Sequence, residues 1–311
     1  MEKKIMIAVD GSIQAKHAVD YAAAMAQCIR PLALSLCHVQ PPISQYLEEE
    51  ARKTPTAKAQ LNALMKKNDA AARQLLDELK ASLVAKGLDA ARVEIDTRLH
   101  THEVDRILLS VAEDKRFDTL VLGQRGITGF QKAFIDSVSS QVLQQRAAVP
   151  IWLVRGRVAF PDRILVAVDG SPNALRAVDH LAFMLSGNAD VRLTFFHVRP
   201  TLKAVCPIVD DDDQTDDLSS AADAGDRRCM DGFLHRALER LTEDGIGEDR
   251  VDVVTVEKTL NIGKAVLEKA AKGNFGTVVV GRRGLTRTFF SGSVSSHLID
   301  RLSDRALWVV Q

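Results

Sequence analysis

Val278-Val279-Val280-Gly281-Arg282-Arg283-Gly284 runs on through Leu285 to Ser291 into Gly292-Ser293-Val294-Ser295-Ser296. A β-branched run that stops at a glycine predicts a buried strand entering a loop, and the hydroxyl-rich end predicts the first turn of a helix. Such a turn suits an anion. Its glycines let backbone approach a ligand closely, Ser293 and Ser295 can cap or donate, and the amides of a helix start carry partial positive charge. The same arrangement stands earlier, as Leu120-Val121-Leu122-Gly123-Gln124-Arg125-Gly126, then Ile127 to Asp136, then Ser137-Val138-Ser139-Ser140.

The repetition covers the whole chain. Ile5-Met6-Ile7-Ala8-Val9-Asp10-Gly11-Ser12 returns as Ile164 to Ser171, and His38-Val39 as His197-Val198, both 159 positions later. Phe117 to Gly126 returns as Phe275 to Gly284 at an offset of 158, and Ile151-Trp152-Leu153-Val154 as Leu307-Trp308-Val309-Val310 at 156. So small a drift means two copies of one unit. Phe160-Pro161-Asp162 interrupts regular structure between them, so the expected domains are 1–156 and 160–311.

At 311 residues, 46% of them hydrophobic, the chain exceeds one ordinary core and can bury two. Its 41 basic and 41 acidic residues cancel, which removes the bulk electrostatic reason to expect nucleic acid or a membrane surface as partner. Ile5 to Val9 is too short for a signal-peptide core, and no run approaches spanning length, so a soluble intracellular protein is expected. Cys28, Cys37, Cys206 and Cys229 form neither a CxxC pair nor a disulfide framework, and read as free, mostly buried thiols.

Within each copy short apolar runs alternate with helical periodicity. Copy one predicts strands at Lys4 to Val9, Leu32 to Val39, Val93 to Leu99, Thr119 to Leu122 and Pro150 to Val154. Its predicted helices are Ile13 to Ile29, one or two across Thr56 to Lys86, Glu103 to Lys115 and Ser137 to Gln145. Copy two repeats the plan, with helices near Asn173 to Leu185, Asp226 to Leu241, Ile262 to Lys272 and Ser293 to Leu302. Asp210 to Asp217, with six aspartates in eight residues, reads as a solvated loop and not as a metal site. The alternation implies an α/β fold of two tandem doubly wound parallel five-stranded sheets, with any ligand beyond the carboxyl ends of strands one and four.

Taken in order and twice over, the strand ending Ala-Val-Asp-Gly-Ser, the His-Val closing strand two, the Gly-x-x-Gly loop and the Ser-Val-Ser-Ser helix start resemble the universal stress protein family in its tandem form. The resemblance implies an adenine nucleotide alpha-hydrolase-like fold with strand order 3-2-1-4-5. It also implies a cytoplasmic role in stress response or signalling, and ATP or another adenine nucleotide as cofactor, with Mg as its companion ion. It implies no dedicated metabolic reaction, at most slow ATP hydrolysis, and no catalytic residue. The fifth strands, which carry Trp152 and Trp308, would pair the halves as an internal pseudo-dimer, with a further homodimer of whole chains as a second possible assembly.

Carried over position by position, Asp10 and Asp169 match the aspartate that meets adenine, and Val39 and Val198 match the backbone beside the base. Gly123, Gly126, Ser137 and Val138 match the ribose and phosphate loop in copy one, as do Gly281, Gly284, Gly292, Ser293 and Val294 in copy two. Both copies depart from the family motif of Gly, two residues, Gly, nine residues, then Gly with Ser or Thr. Copy one places Asp136 at the third glycine, where a carboxylate would face phosphates at a cost of about 1 kcal/mol at ~4 Å in water, and several at an effective dielectric near 20. Copy two has only seven residues between Gly284 and Gly292, but Arg282, Arg283 and Arg287 add phosphate donors. On this count copy two ranks above copy one as the nucleotide site, and a ligand-free interaction scaffold is the alternative function. Neither Walker motif nor catalytic dyad is visible.

Several candidates also have plainly structural readings. Asp-Gly-Ser before a helix is what a cap needs with or without a ligand. The glycines would serve a tight strand-to-helix connection, and His38 and His197 would satisfy strand-end carbonyls. His100 and His102 read as exposed loop residues, since further metal ligands are missing.

Overall fold

The computed structural model of the chain describes residues 2–124, 138–145, 147–188, 191–199, 216–257, 261–282 and 294–311. Of the candidate positions, Gly126, Asp136, Ser137, Arg283, Gly284, Arg287, Gly292 and Ser293 lie outside the described residues, as do Cys206 and 210–215 of the acidic run. The chain divides into two compact units that part after Gly156.

The first unit runs β1 (Lys3–Ala8), α1 (Ile13–Cys28), β2 (Leu32–Val39), α2 (Gln45–Lys53), α3 (Pro55–Ala85), β3 (Val93–Arg98), α4 (Val104–Asp114), β4 (Thr119–Gln124), α5 (Val138–Gln144) and β5 (Ile151–Arg155). Its strands lie in the order β3-β2-β1-β4-β5, and each pair is parallel. Central position explains composition. Ile5, Met6 and Ile7 of β1 and Leu120 and Val121 of β4 are fully buried, because helices cover both faces of a parallel sheet. β3, at the end of the order, carries Glu94, Asp96 and Arg98 instead. Parity along β2 separates the two helix layers: Gln40, like Thr97, bonds Asp69 of α3, while Cys37 and Val39 share a cleft with Val104 and Leu108 of α4.

The second unit repeats the order with β6 (Arg163–Val168), α6 (Pro172–Leu185), β7 (Arg192–Val198), α7 (Asp216–Glu243), β8 (Val251–Val256), α8 (Ile262–Lys272), β9 (Thr277–Gly281), α9 (Val294–Arg301) and β10 (Arg305–Val310). Its strands lie in the order β8-β7-β6-β9-β10, which is again 3-2-1-4-5 within the copy. Helix α6 packs on α7, and α8 on α9.

The structure amends three expectations. Thr56 to Lys86 is one helix, and a further helix, α2, precedes it where only a strand end at Pro41-Pro42 is expected. Ser44 caps α2 by accepting the Leu47 amide at 3.3 Å. Helix α7 begins at Asp216, ten residues before the expected start and inside the acidic run. Of the described cysteines only Cys37 is buried; Cys28 is half-buried and Cys229 exposed.

Trp152 and Trp308 are fully buried. Tyr21 of α1 meets Trp152 edge-on at 6.2 Å between ring centroids, and His180, at the equivalent place on α6, meets Trp308 at 5.8 Å. Burial pushes the His180 pKa down from 6.5 to about 3. Below pH 6.5 the unfolded chain therefore takes up a proton that the folded chain refuses, and stability falls as pH drops through that window. His180→Phe keeps a ring against Trp308 and removes the proton. Urea unfolding from pH 7 to pH 5 should show the wild type losing roughly 1–2 kcal/mol more than the variant; parallel losses would contradict this.

Candidate functional site

The two Asp-Gly-Ser turns are built alike. Asp10 accepts the Ser12 amide on Oδ1 at 3.0 Å, and Asp169 accepts that of Ser171 at 3.1 Å. Gly11 and Gly170, with φ of +80° and +74°, make the left-handed bend between them. Each serine then caps the next helix: Ser12 Oγ accepts the Ala15 amide at 3.1 Å and Ser171 Oγ that of Ala174 at 3.2 Å, each cap worth ~1 kcal/mol. The capping role is thus realised in both halves. It uses one aspartate oxygen, and Asp10 Oδ2 has no hydrogen bond among the described residues.

Where β1 leaves the sheet, Val9 donates to the Cys37 carbonyl at 2.9 Å, while its own carbonyl lies 2.7 Å from His38 Nδ1. His197 Nδ1 lies 3.0 Å from the Val168 carbonyl in the same way. Both histidines satisfy a backbone acceptor at the point where strands one and two part, as the structural reading expects. His197 differs in also meeting Asp226 of α7 through Nε2 at 3.1 Å. His102 is exposed and bonds Thr101 at 3.1 Å.

Gly123 and Gly281 also serve a structural demand. A Cβ on Gly123 would overlap the Gln14 carbonyl and lie 2.8 Å from the Ala15 amide nitrogen; on Gly281 it would overlap the Asn173 carbonyl and lie 2.8 Å from that of Ala174. In both halves the end of strand four is pressed against the first turn of helix one. That contact brings the end of strand four beside the Asp-Gly-Ser turn.

In the first half these elements enclose a cleft of about 200 Å³. Asp10, Val39, Gly123 and Val138 all line it, so the described candidate residues of copy one converge on one site. The rest of the wall comes from Ala8, Cys37, Val104, Leu108, Leu122 and Ser139, among others. Sequence reading misses Cys37, Val104 and Leu108. Cys37 is two residues from Val39 and so on the same strand face, while Val104 and Leu108 sit four apart on one helix face, but neither spacing tells that face from plain core. Burial, with the Asp96 charge adding to it, pushes the Cys37 thiol up to about 12, so it stays neutral. The cleft is mostly apolar with one exposed carboxylate at its mouth, and it is smaller than the 300–1,000 Å³ of a drug-sized site. It matches one heterocyclic ring.

A family model described as "Universal stress protein family" matches residues 1–155 and again 161–309. The chain belongs to the universal stress protein family. Among solved structures, a universal stress protein from Archaeoglobus fulgidus DSM 4304 aligns over 98% of this chain and 97% of its own, at 22% identity and a TM-score of 0.63, a likeness of fold. Shorter matches include an Archaeoglobus fulgidus universal stress protein in complex with dAMP (17% identity, 50% of this chain and 99% of that one, TM-score 0.33). Another is an Arabidopsis thaliana family member with AMP bound (17% identity, 49% and 90%, TM-score 0.31). A search of curated proteins gives no match.

In the second universal stress segment the wall differs. Ala8 pairs with Cys37 in the first half, and Ala167 pairs with Phe196 in the second. Phe196 is 3% exposed, so a phenyl ring fills the position at which the first half has a thiol beside open space. Gly281 and Arg282 are half-buried, the Arg282 amide donates to the Val310 carbonyl at 2.6 Å, and burial lowers the pKa of its guanidinium. Asp169 and Gly281 both lie at the first turn of α6. The described cleft lies in the first half; in the second half the ranking by motif rests on residues 283–293, which lie outside the described residues.

The close approach at strand four makes a prediction. Gly123→Ala and Gly281→Ala should each lower stability by about 1–3 kcal/mol through overpacking, read as a drop in urea midpoint at unchanged m-value. Wild-type midpoints in both variants would show that the contact yields easily.

Proposed function

We propose that the chain is a nucleotide-responsive stress protein that seats an adenine base in the first-half cleft. The observation that carries this reading is the convergence of Asp10, Val39, Gly123 and Val138 on one ring-sized space. Asp10 Oδ2 would accept the exocyclic amine of adenine, a contact that guanine, with a carbonyl at that place, does not offer. The strand-two backbone at Val39 would border the base, and Cys37, Val104, Leu108 and Leu122 would supply apolar contact. The ribose and phosphates would leave past Gly123 toward the loop with Gly126 and Ser137 and the start of α5. Asp136 in that loop favours a monophosphate over ATP, unless Mg bridges the carboxylate and the phosphates. The second half would serve the fold and its partners, with Phe196 in place of the base. No catalytic role is assigned to any residue.

A ligand-free scaffold is the second reading, and Asp136 together with Phe196 favours it. Calorimetric titration of the full chain with AMP, and with ATP and Mg, separates the two. Saturable AMP binding, weakened on the order of tenfold by Asp10→Ala and abolished by Cys37→Phe, is the expected result. No heat with either nucleotide would leave the scaffold, and unchanged affinity in Cys37→Phe would move the site away from the cleft.

A further inference from the structure

A second cleft, of about 620 Å³, lies between the end of β3 and α4 in the first half, lined by Arg98, Leu99, Thr101, His102 and Arg106 among others. It stands apart from the first: Val104 and Leu108 of α4 border the base cleft, whereas Arg106 and Ile107 border this one. We propose that it binds a small phosphorylated molecule through the guanidinium groups of Arg98 and Arg106.

The donors here outnumber their acceptors. Arg106 is exposed and has no hydrogen bond or ion pair among the described residues. Arg98 spends one terminal nitrogen on Asp96 at 2.8 Å, and its side chain stays 37% exposed at the cleft. Of the nearby carboxylates, Asp96 is charge-paired. Asp96 also takes Lys115 at 2.8 Å; burial opposes its ionisation, but hydrogen bonds from Arg98 and Lys115 prevail and hold its pKa low. Asp114, the acid in the wall, accepts the Ser110 hydroxyl at 3.1 Å. Two planar guanidinium forks suit the oxygens of a phosphate, and Leu99, 50% exposed, with Ile107 gives the rest of a molecule an apolar rest.

The fold does not require this charge. Arg98 pairs with Val39 across the ladder, and Val256 occupies the equivalent rung opposite Val198 in the second half. The same strand end is therefore built there without an arginine.

Inorganic phosphate tests the proposal on the full chain, with thermal midpoints followed at constant ionic strength set by chloride. A saturable rise in midpoint is expected for the wild type and for Asp10→Ala, whose base cleft is altered. Arg106→Gln should weaken the apparent affinity on the order of tenfold, and Arg98→Gln with Arg106→Gln should abolish the effect. A wild type that phosphate leaves unchanged, or an Arg106→Gln variant that responds like the wild type, would overturn the assignment. Loss in Asp10→Ala alone would do the same by placing phosphate at the nucleotide site. Because phosphate carries no base, failure here would leave the adenine reading standing.

Discussion

Where β4 ends, its backbone runs so close to the first turn of α1 that no side chain fits between them. Gly123 meets Gln14 and Ala15 there, and Gly281 meets Asn173 and Ala174 in the second half. This contact joins two places distant in sequence, the Asp-Gly-Ser turn and the end of strand four, at the reversal of strand order. An open α/β sheet forms its crevice at that reversal. The histidines on strand two complete the same corner by meeting the carbonyls that β1 and β6 would otherwise leave unpaired as they exit the sheet. Turn, cap, histidine and glycine are therefore one device, and the fold needs it whether or not a ligand follows.

Duplication kept that device twice and changed what surrounds it. Across from the alanine at the end of strand one stands a cysteine in one half and a phenylalanine in the other. The strand-three ends diverge likewise, with Arg98 in one copy and Val256 in the other. Each half forms its own compact unit, so the two can diverge separately.

The sequence displays the scaffold plainly because its signals are local. Strand runs such as Val278 to Val280, the Asp-Gly-Ser turns and the 159-residue echo locate the elements to within a residue or two in most cases. Helix α2 and the early start of α7 escape notice, since Pro41-Pro42 and a run of aspartates read as chain breaks when taken alone. The site is harder to read than the fold. Motif spacing favours the second half because it counts glycines and arginines along the chain, whereas the first-half cleft is also walled by Cys37, which lies far from those motifs. Cavities are set by volumes brought together across strands and helices, and no one-dimensional pattern carries them.

If the halves differ as their walls do, saturation must be unequal. Equilibrium dialysis of the full chain against labelled AMP counts the sites directly. The account predicts one AMP per chain at saturation; two per chain, or none, would contradict it.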